Sequence, residues 1–265
     1  MKITSPLALA LLLAIASTPA VSELQTSTIE YTVNDSVFSG YLAYDDDFKG
    51  ERPGVLVVHE WWGHNEFARS EAEKLASAGY TAFALDMYGS GKQASHPEDA
   101  QKLMQATMGD KQAMEDRFRA AMKVLQDQNT VDASRIAAQG YCFGGAVVLN
   151  MARMGLDLDG VVSFHGSLGS DISPEQGGVS PRLLVYTGGS DEFVPVDQVT
   201  GFVGEMMNAE ADLTLVSFPD AKHSFMSPAA DEIAEKFGMP IAYNEEAASR
   251  AWERTLRFYG EIFNR

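Results

Sequence analysis

Apolar runs alternate with helical patterns along most of the chain. Residues 53–59 and 80–85 are continuous, largely apolar runs, as expected for strands that are covered on both faces. Between them, residues 66–78 repeat apolar side chains at the spacing of one helical face. Because strands alternate with helices, the pattern predicts an α/β fold with a mostly parallel central sheet and helices on both faces.

The same alternation continues to the end of the chain. It predicts further strands at 134–141, 160–165, 182–187 and 212–218, and helices at 98–127 (with a break near Gly109), 143–154, 196–209 and 244–263. Amphipathic stretches at 27–34 and 36–44 predict an antiparallel hairpin at one edge of the sheet. Residues 167–181 and 227–246 carry Gly and Pro breaks and are interpreted as loops. In sheets of this kind the functional site lies at the carboxyl ends of the strands.

The N-terminus has the pattern of a signal peptide. Lys2 precedes an apolar run that is too short to cross a bilayer, and the small residues around Ala20 and Ser22 offer a cleavage site. We therefore expect residues 1–22 to be removed on export, to the periplasm or the medium, with residues 23–265 forming one domain. The alternative is an apolar N-terminus that simply frays.

Composition narrows the possible partners. A formal net charge of −17 argues against nucleic acid and anionic membrane surfaces as partners. The single cysteine excludes an internal disulfide, so the core alone must hold the fold. We expect a soluble monomer or weak dimer that needs no cofactor.

The single cysteine, Cys142, lies between a predicted strand and a predicted helix. Its neighbours Gly140 and Gly144 are small, as a tight strand-to-helix turn requires. Such a turn exposes its central side chain above the sheet, beside a helix N-terminus that favours a thiolate. The pattern therefore indicates a nucleophile, against the alternative of a small buried apolar residue.

Two later strands end at residues that suit a cysteine nucleophile. Asp191 follows the strand at 182–187, and His223 follows the strand at 212–218. The order of nucleophile, acid and histidine is that of the α/β-hydrolases, in which histidine is the base and the acid orients it. A turn-forming aspartate and a solvated histidine are the alternatives. The backbone N–H groups of Phe143 and Trp61 are predicted to hold the oxyanion.

Four motifs together resemble the dienelactone hydrolase family, a cysteine-dependent branch of the α/β-hydrolases. They are His59-Glu60-Trp61-Trp62-Gly63, Gly140-Tyr141-Cys142-Phe143-Gly144-Gly145, Gly189-Ser190-Asp191 and His223-Ser224-Phe225, within a likeness that covers residues 28–263. The resemblance implies that Glu60 is a fourth functional residue, which faces the resting cysteine and helps to activate it. The alternative for Glu60 is a strand-end carboxylate paired with a cation.

The chain also departs from the family pattern. Ser90 and Ser227 stand where founding members of the family hold a substrate carboxylate with two arginines. Serine cannot replace that charge, so the resemblance does not extend to dienelactone as a substrate. An apolar pocket is expected instead, and its predicted lining is Trp62, Tyr88, His165 and Phe225. Each of these aromatic residues could equally be ordinary core.

The sequence thus predicts a hydrolase that cleaves small esters or lactones through an acyl-enzyme on Cys142. Two alternatives remain: an exported thiol-based redox sensor, and an inactive binding module on the same fold. A zinc-protease motif is excluded because His59 and His64 are five residues apart, whereas that motif needs four on one helical face. No metal site is predicted.

Overall fold

The computed structural model describes residues 24–264, in which eight strands form one mixed sheet. The strands are β1 (Leu24–Val33), β2 (Ser36–Asp45), β3 (Arg52–Val58), β4 (Thr81–Leu85), β5 (Val131–Tyr141), β6 (Gly160–Phe164), β7 (Arg182–Gly188) and β8 (Leu213–Phe218). They are arranged as β1-β2-β4-β3-β5-β6-β7-β8. Strands β3 to β8 are parallel, while β1 and β2 form the predicted antiparallel hairpin at one edge. The predicted signal peptide lies outside the described residues.

Helices cover both faces of this sheet. They are α1 (Glu66–Ser77), α2 (Pro97–Met108), α3 (Lys111–Gln126), α4 (Phe143–Arg153), α5 (Val196–Asn208), α6 (Ala230–Phe237) and α7 (Glu245–Phe263). One core joins the sheet to α3, α4 and α5 through buried residues such as Phe118, Leu149 and Phe202. A second core joins the other face to α1 and α7 through Leu75 and Tyr259. The predicted α/β fold with a mostly parallel sheet is therefore confirmed. Within residues 24–264, no helix combines the length and apolar character needed to span a bilayer.

One predicted loop is wrong, because residues 227–246 contain helix α6. In the sequence, only helix-breaking Gly and Pro residues on either side of α6 give a clear signal. The helix itself leaves most of its surface exposed. Its apolar anchor is Phe237, whose ring packs against Trp62 and His96 at centroid distances of 6.0 and 5.3 Å. Gly238 then ends the helix in a left-handed conformation with φ 67°, a common helix C-cap. The break at Gly238 is therefore the end of a helix. The residues that follow it, 239–241, lie against the site.

The turn between β5 and α4 depends on close backbone approach. A Cβ atom on Gly144 would lie 2.3 Å from the Val58 carbonyl oxygen and 2.7 Å from that of His59. These oxygens belong to the last residue of β3 and to the residue after it, which cannot move without disturbing the sheet. The position therefore requires glycine for space.

A matched pair of glycine substitutions tests this requirement. We expect Gly144→Ala to lower the free energy of unfolding by about 2–3 kcal/mol through the backbone clash. Gly201→Ala, at a helical position in α5 where a new Cβ meets nothing within 4 Å, should raise it by about 0.5–1 kcal/mol. Urea unfolding of both variants measures the difference. Equal effects of the two changes would show that the turn tolerates a side chain.

Candidate active site

Cys142 lies at the turn between β5 and α4 in a strained conformation. Its φ of 53° and ψ of −114° are unusual for a residue other than glycine and cost about 1–3 kcal/mol. The Cys142 N–H donates to the Phe164 carbonyl at 3.0 Å and to His165 Nδ1 at 3.2 Å. The side chain is thereby held at the N-terminal end of α4, where backbone N–H groups favour a negative charge.

An aspartate and a histidine meet at the carboxyl ends of β7 and β8. His223 Nδ1 lies 2.9 Å from Asp191 Oδ2. The other carboxylate oxygen, Oδ1, accepts the backbone N–H groups of Phe193 and Val194 at 2.8 and 3.3 Å. Both members of the pair are buried. The aspartate is therefore fixed by the chain that follows it, and it orients the imidazole.

The Cys142 side chain interacts electrostatically with the same imidazole and lines the same cavity. Burial alone would lower the pKa of His223, but the negative charges of Cys142 and Asp191 outweigh it and raise the pKa to about 10. The ring therefore keeps its proton at neutral pH, beside the Cys142 side chain. The structure thus brings together the three predicted residues Cys142, His223 and Asp191.

Glu60 follows β3 and is 3 % exposed. It accepts a hydrogen bond from Ser224 Oγ at 3.3 Å, so its hydrogen-bond partner here is Ser224. Burial raises the pKa of its carboxyl to about 7, although the His223 charge and the Ser224 bond oppose that rise. Its charge therefore changes close to neutral pH, next to the Cys142–His223 pair.

The raised pKa of Glu60 predicts a pH-dependent stability. Since the folded pKa of about 7 exceeds the ordinary value of 4.5, this group's stabilisation is complete below pH 4.5 and is lost as the pH rises to 7. We expect the free energy of unfolding of the wild type, relative to Glu60→Gln, to fall across this window by up to ~1.4 kcal/mol per pH unit. Urea unfolding at several pH values, with the exposed Glu175→Gln as control, measures it. Parallel wild-type and Glu60→Gln curves would contradict the assignment.

The His59 ring links the backbones of Glu60 and Met87 by hydrogen bonds. Its Nε2 accepts the Met87 N–H at 3.1 Å, so Nδ1 carries the proton and donates to the Glu60 carbonyl at 2.5 Å. Burial lowers the pKa of this ring and keeps it neutral. The Glu60 carbonyl belongs to the same peptide group as the Trp61 N–H. His59, together with the Gly63 N–H, which donates to the same carbonyl at 3.2 Å, therefore fixes the direction of that N–H. The His59 ring also stacks on Phe143 at 5.6 Å.

Two backbone donors are available beside the cysteine. Within the described chain, the N–H groups of Phe143 and Trp61 have no hydrogen-bond acceptor. Phe143 begins α4, where the first N–H groups lack partners inside the helix. Both residues line one cavity with Cys142. Both N–H groups are therefore free to donate to a polar group bound in that cavity.

Cys142 opens into an apolar cavity of about 300 Å³. The cavity is lined by Trp61, Met104, Met108, Cys142, Phe143, Ala146, Ser167, Phe193, Val194, His223, Ser224, Met239 and Ile241. Among these described residues there is no lysine, arginine, aspartate or glutamate, and the positive His223 already faces Asp191 and Cys142. The wall therefore offers no free charge partner to a substrate carboxylate. The three methionines give the wall an adaptable, polarisable surface.

The predicted pocket residues Trp62, Tyr88, His165 and Phe225 do not line this cavity. They lie behind its wall, because side chains at strand ends also point into the core. Tyr88 donates its hydroxyl to the Trp61 carbonyl at 3.1 Å, and Phe225 is fully buried. Ser90 and Ser227 are likewise absent from the lining.

Most residues of the cavity wall have no signal in the sequence. Met104 and Met108 come from α2, and Met239 and Ile241 come from the segment after α6, far from any motif. The one local signal was Phe193, an apolar residue two positions after Asp191. It remains 46 % exposed at the rim, with its ring against His223.

A parallel sheet with a strained turn at Cys142 after β5, an aspartate after β7 and a histidine after β8 has the architecture of an α/β-hydrolase. The dienelactone hydrolase family model matches residues 38–263. The chain belongs to this family, as its motifs predicted, and is a carboxylic ester or lactone hydrolase acting on small molecules.

Several relatives cover nearly the whole chain. A solved structure named m3DLH is 34 % identical with a TM-score of 0.85, over 91 % of this chain and 99 % of its own. A dienelactone hydrolase-like promiscuous phosphotriesterase from metagenomic libraries is 31 % identical with a TM-score of 0.85, over the same shares. A protein of Aquifex aeolicus, named as a proposed carboxymethylenebutenolidase, is 26 % identical over 87 % of this chain and 96 % of its own.

Proposed function

We propose that the chain hydrolyses small, uncharged esters or lactones through an acyl-enzyme on Cys142. The observation that carries this proposal is the arrangement of Cys142, His223 and Asp191 at the wall of an apolar cavity. A thiolate beside an imidazolium is a ready nucleophile, and it needs no cofactor.

The first half-reaction forms a thioester. The Cys142 thiolate attacks the acyl carbon, and the carbonyl electron pair moves to oxygen, where the Phe143 and Trp61 N–H groups stabilise the charge. Collapse of this intermediate expels the alkoxide, which takes the proton from the His223 imidazolium. The alcohol leaves, or remains tethered when the substrate is a lactone.

The second half-reaction releases the acid. Neutral His223 takes a proton from water, and the resulting hydroxide attacks the thioester carbon. Collapse expels the Cys142 thiolate beside the protonated imidazole, which restores the starting pair. Asp191 keeps the ring in one orientation and stabilises its charge in both halves. Glu60, when ionised, adds a second negative charge near the imidazolium.

A matched pair of esters tests the proposed substrate class. Nitrophenyl butyrate and the succinate analogue have acyl chains of the same length, but the succinate ends in a carboxylate. Because burying that carboxylate without a partner is costly, we expect its kcat/KM to be at least about tenfold lower. Equal or higher kcat/KM for the succinate would contradict an uncharged substrate. Fast oxidation by hydrogen peroxide with no turnover of either ester would favour the thiol sensor instead, and neither activity would favour the binding module.

His59 has a positioning role in this proposal, and a pair of variants tests it. His59→Leu removes one of the two hydrogen bonds that direct the Glu60–Trp61 peptide group, and it should lower kcat on the order of tenfold with KM little changed. His59→Gln keeps a donor and an acceptor and should recover most of the loss. Melting temperatures of both variants separate this effect from stability. An equal fall in kcat/KM in both variants would show that the His59 ring only fills space.

We also propose that the protein is exported and acts as a monomer or weak dimer. The N-terminal pattern and the self-repulsion of a net charge of −17 support this. N-terminal sequencing of the native protein should begin near residue 23, and sedimentation should give the mass of one chain at micromolar concentration. A native protein that retains Met1 would contradict export by cleavage.

A further inference from the structure

His165 follows β6 and contacts both Cys142 and His223, although it does not line their cavity. Its Nδ1 accepts the Cys142 N–H at 3.2 Å. Its ring lies at an angle of 61° to the His223 ring, with a centroid distance of 5.2 Å. The side chain is fully buried. His165 therefore connects the turn that carries the thiol to the imidazole beside it.

The second ring nitrogen of His165 has no hydrogen-bond partner. Because Nδ1 accepts a hydrogen bond, Nε2 carries the proton of the neutral ring. Among residues 24–264, no acceptor lies within hydrogen-bond distance of this buried Nε2. An unpaired buried N–H destabilises a fold, whereas a phenylalanine ring would fill similar space without one. Packing alone therefore does not explain a histidine at this position.

The hydrogen bond to Nδ1 lies at a point where the backbone is strained on both sides. Cys142 has φ 53° and His165 has φ 41°, a left-handed conformation that is unfavourable for residues other than glycine. The pairing of β5 with β6 ends one residue earlier, at Tyr141 and Phe164. Beyond that pair, the Cys142 N–H is held by His165 Nδ1 and by the Phe164 carbonyl at 3.0 Å.

The His165 ring is itself held in one orientation. The His165 N–H donates to the Tyr186 carbonyl at 3.0 Å. The ring packs against Phe225 and Tyr141 at centroid distances of 5.0 and 6.2 Å. Burial and the positive charge of His223 lower the pKa of His165 well below its ordinary value. The ring therefore stays neutral, and Nδ1 remains available as an acceptor.

We infer that His165 is a positioning residue, which holds the Cys142 N–H in the strained turn and so keeps the thiol in place beside His223. The inference rests on the proposed function, because it takes Cys142 as the nucleophile. Since His165 lies behind the cavity wall, loss of its Nδ1 should leave substrate binding intact. It should slow the chemical step, because a small displacement of a nucleophile lowers the rate.

Two substitutions separate the hydrogen bond from the ring. His165→Phe keeps a ring but removes the acceptor. We expect kcat for nitrophenyl butyrate to fall on the order of tenfold with KM little changed. The pH at which iodoacetamide labels Cys142 should rise by at least about half a pH unit, because the thiol is less well placed beside the imidazolium. His165→Asn puts an amide oxygen near the position of Nδ1 and tolerates a positive φ, so it should keep most of the wild-type kcat and labelling.

The matched control is His96→Phe, the same change at an exposed histidine outside the cavity. It should leave kcat and labelling as in the wild type. Melting temperatures of the three variants separate a loss of stability from a loss of position. Should His165→Phe fail to fold, His165→Gly adopts a positive φ without strain and offers no acceptor. It should show the same rise in the labelling pH.

Wild-type kcat and labelling in His165→Phe would overturn the inference. An equal loss in His165→Phe and His165→Asn would also overturn it, because the hydrogen bond would then not be the contact that matters. Labelling needs no ester, so its result does not depend on the proposed reaction. The expected labelling shift without any acyl-enzyme on Cys142 would contradict the proposed function and support the role of His165. An acyl-enzyme on Cys142 with unchanged labelling in His165→Phe would contradict the role of His165 alone.

Discussion

Replacement of Cys142 by alanine is expected to lower kcat for a short-chain nitrophenyl ester by about 10⁴-fold or more. Among the described residues, the only other nucleophilic side chains that line the cavity with His223 are Ser167 and Ser224. The hydroxyl groups of these serines donate to Gln198 and Glu60, not to the imidazole. Steady-state kinetics of the purified variant measure the effect.

Two controls sharpen this experiment. Circular dichroism should show an unchanged fold, since the core does not depend on contacts of the Cys142 side chain. Ser167→Ala, which alters the same cavity without touching the proposed nucleophile, should keep turnover within a few fold of wild type. Turnover at wild-type rate by Cys142→Ala would assign the chemistry to another residue.

Replacement of His223 by alanine is expected to lower kcat by about 10²–10⁴-fold, the usual contribution of a general acid and base. It should also raise the pH at which iodoacetamide labels Cys142, because the imidazolium no longer stabilises the thiolate. Asp191→Asn should shift labelling in the same direction but less, since the ring remains present. Labelling rates across pH 5 to 10 measure both effects.

Unchanged labelling in His223→Ala would remove histidine from activation of the thiol. A loss of turnover with unchanged labelling would leave His223 only the later proton transfers. The comparison therefore separates the two tasks proposed for one ring.

The sequence predicted those features of the fold and site that have local signals. Continuous apolar runs marked the strands, and Gly140 and Gly144 marked the turn at Cys142 because their lack of a side chain is required there. Asp191 and His223 were found because each follows a strand end. Parallel strands bring such ends to one edge of the sheet, and the structure places the two 2.9 Å apart.

The cavity wall had no such signal. Met104 and Met239 reach the site through the packing of α2 and of the segment after α6, and nothing near them in sequence points to the cysteine. Tyr88 and His165 follow strands in sequence but turn inward, where each makes a hydrogen bond to the backbone beside the site. A position close to a motif in the sequence therefore did not show whether a residue lines the cavity or lies behind its wall.

Acid-quenched mass spectrometry of the reaction can detect the proposed acyl-enzyme on Cys142. During turnover of nitrophenyl butyrate, the intact mass should rise by one butyryl group, and peptide mapping should place the group on Cys142. The adduct should decay at the rate of the second half-reaction once substrate is exhausted. Steady turnover with no adduct under a rapid quench, or an adduct on another residue, would rule out an acyl-enzyme on Cys142.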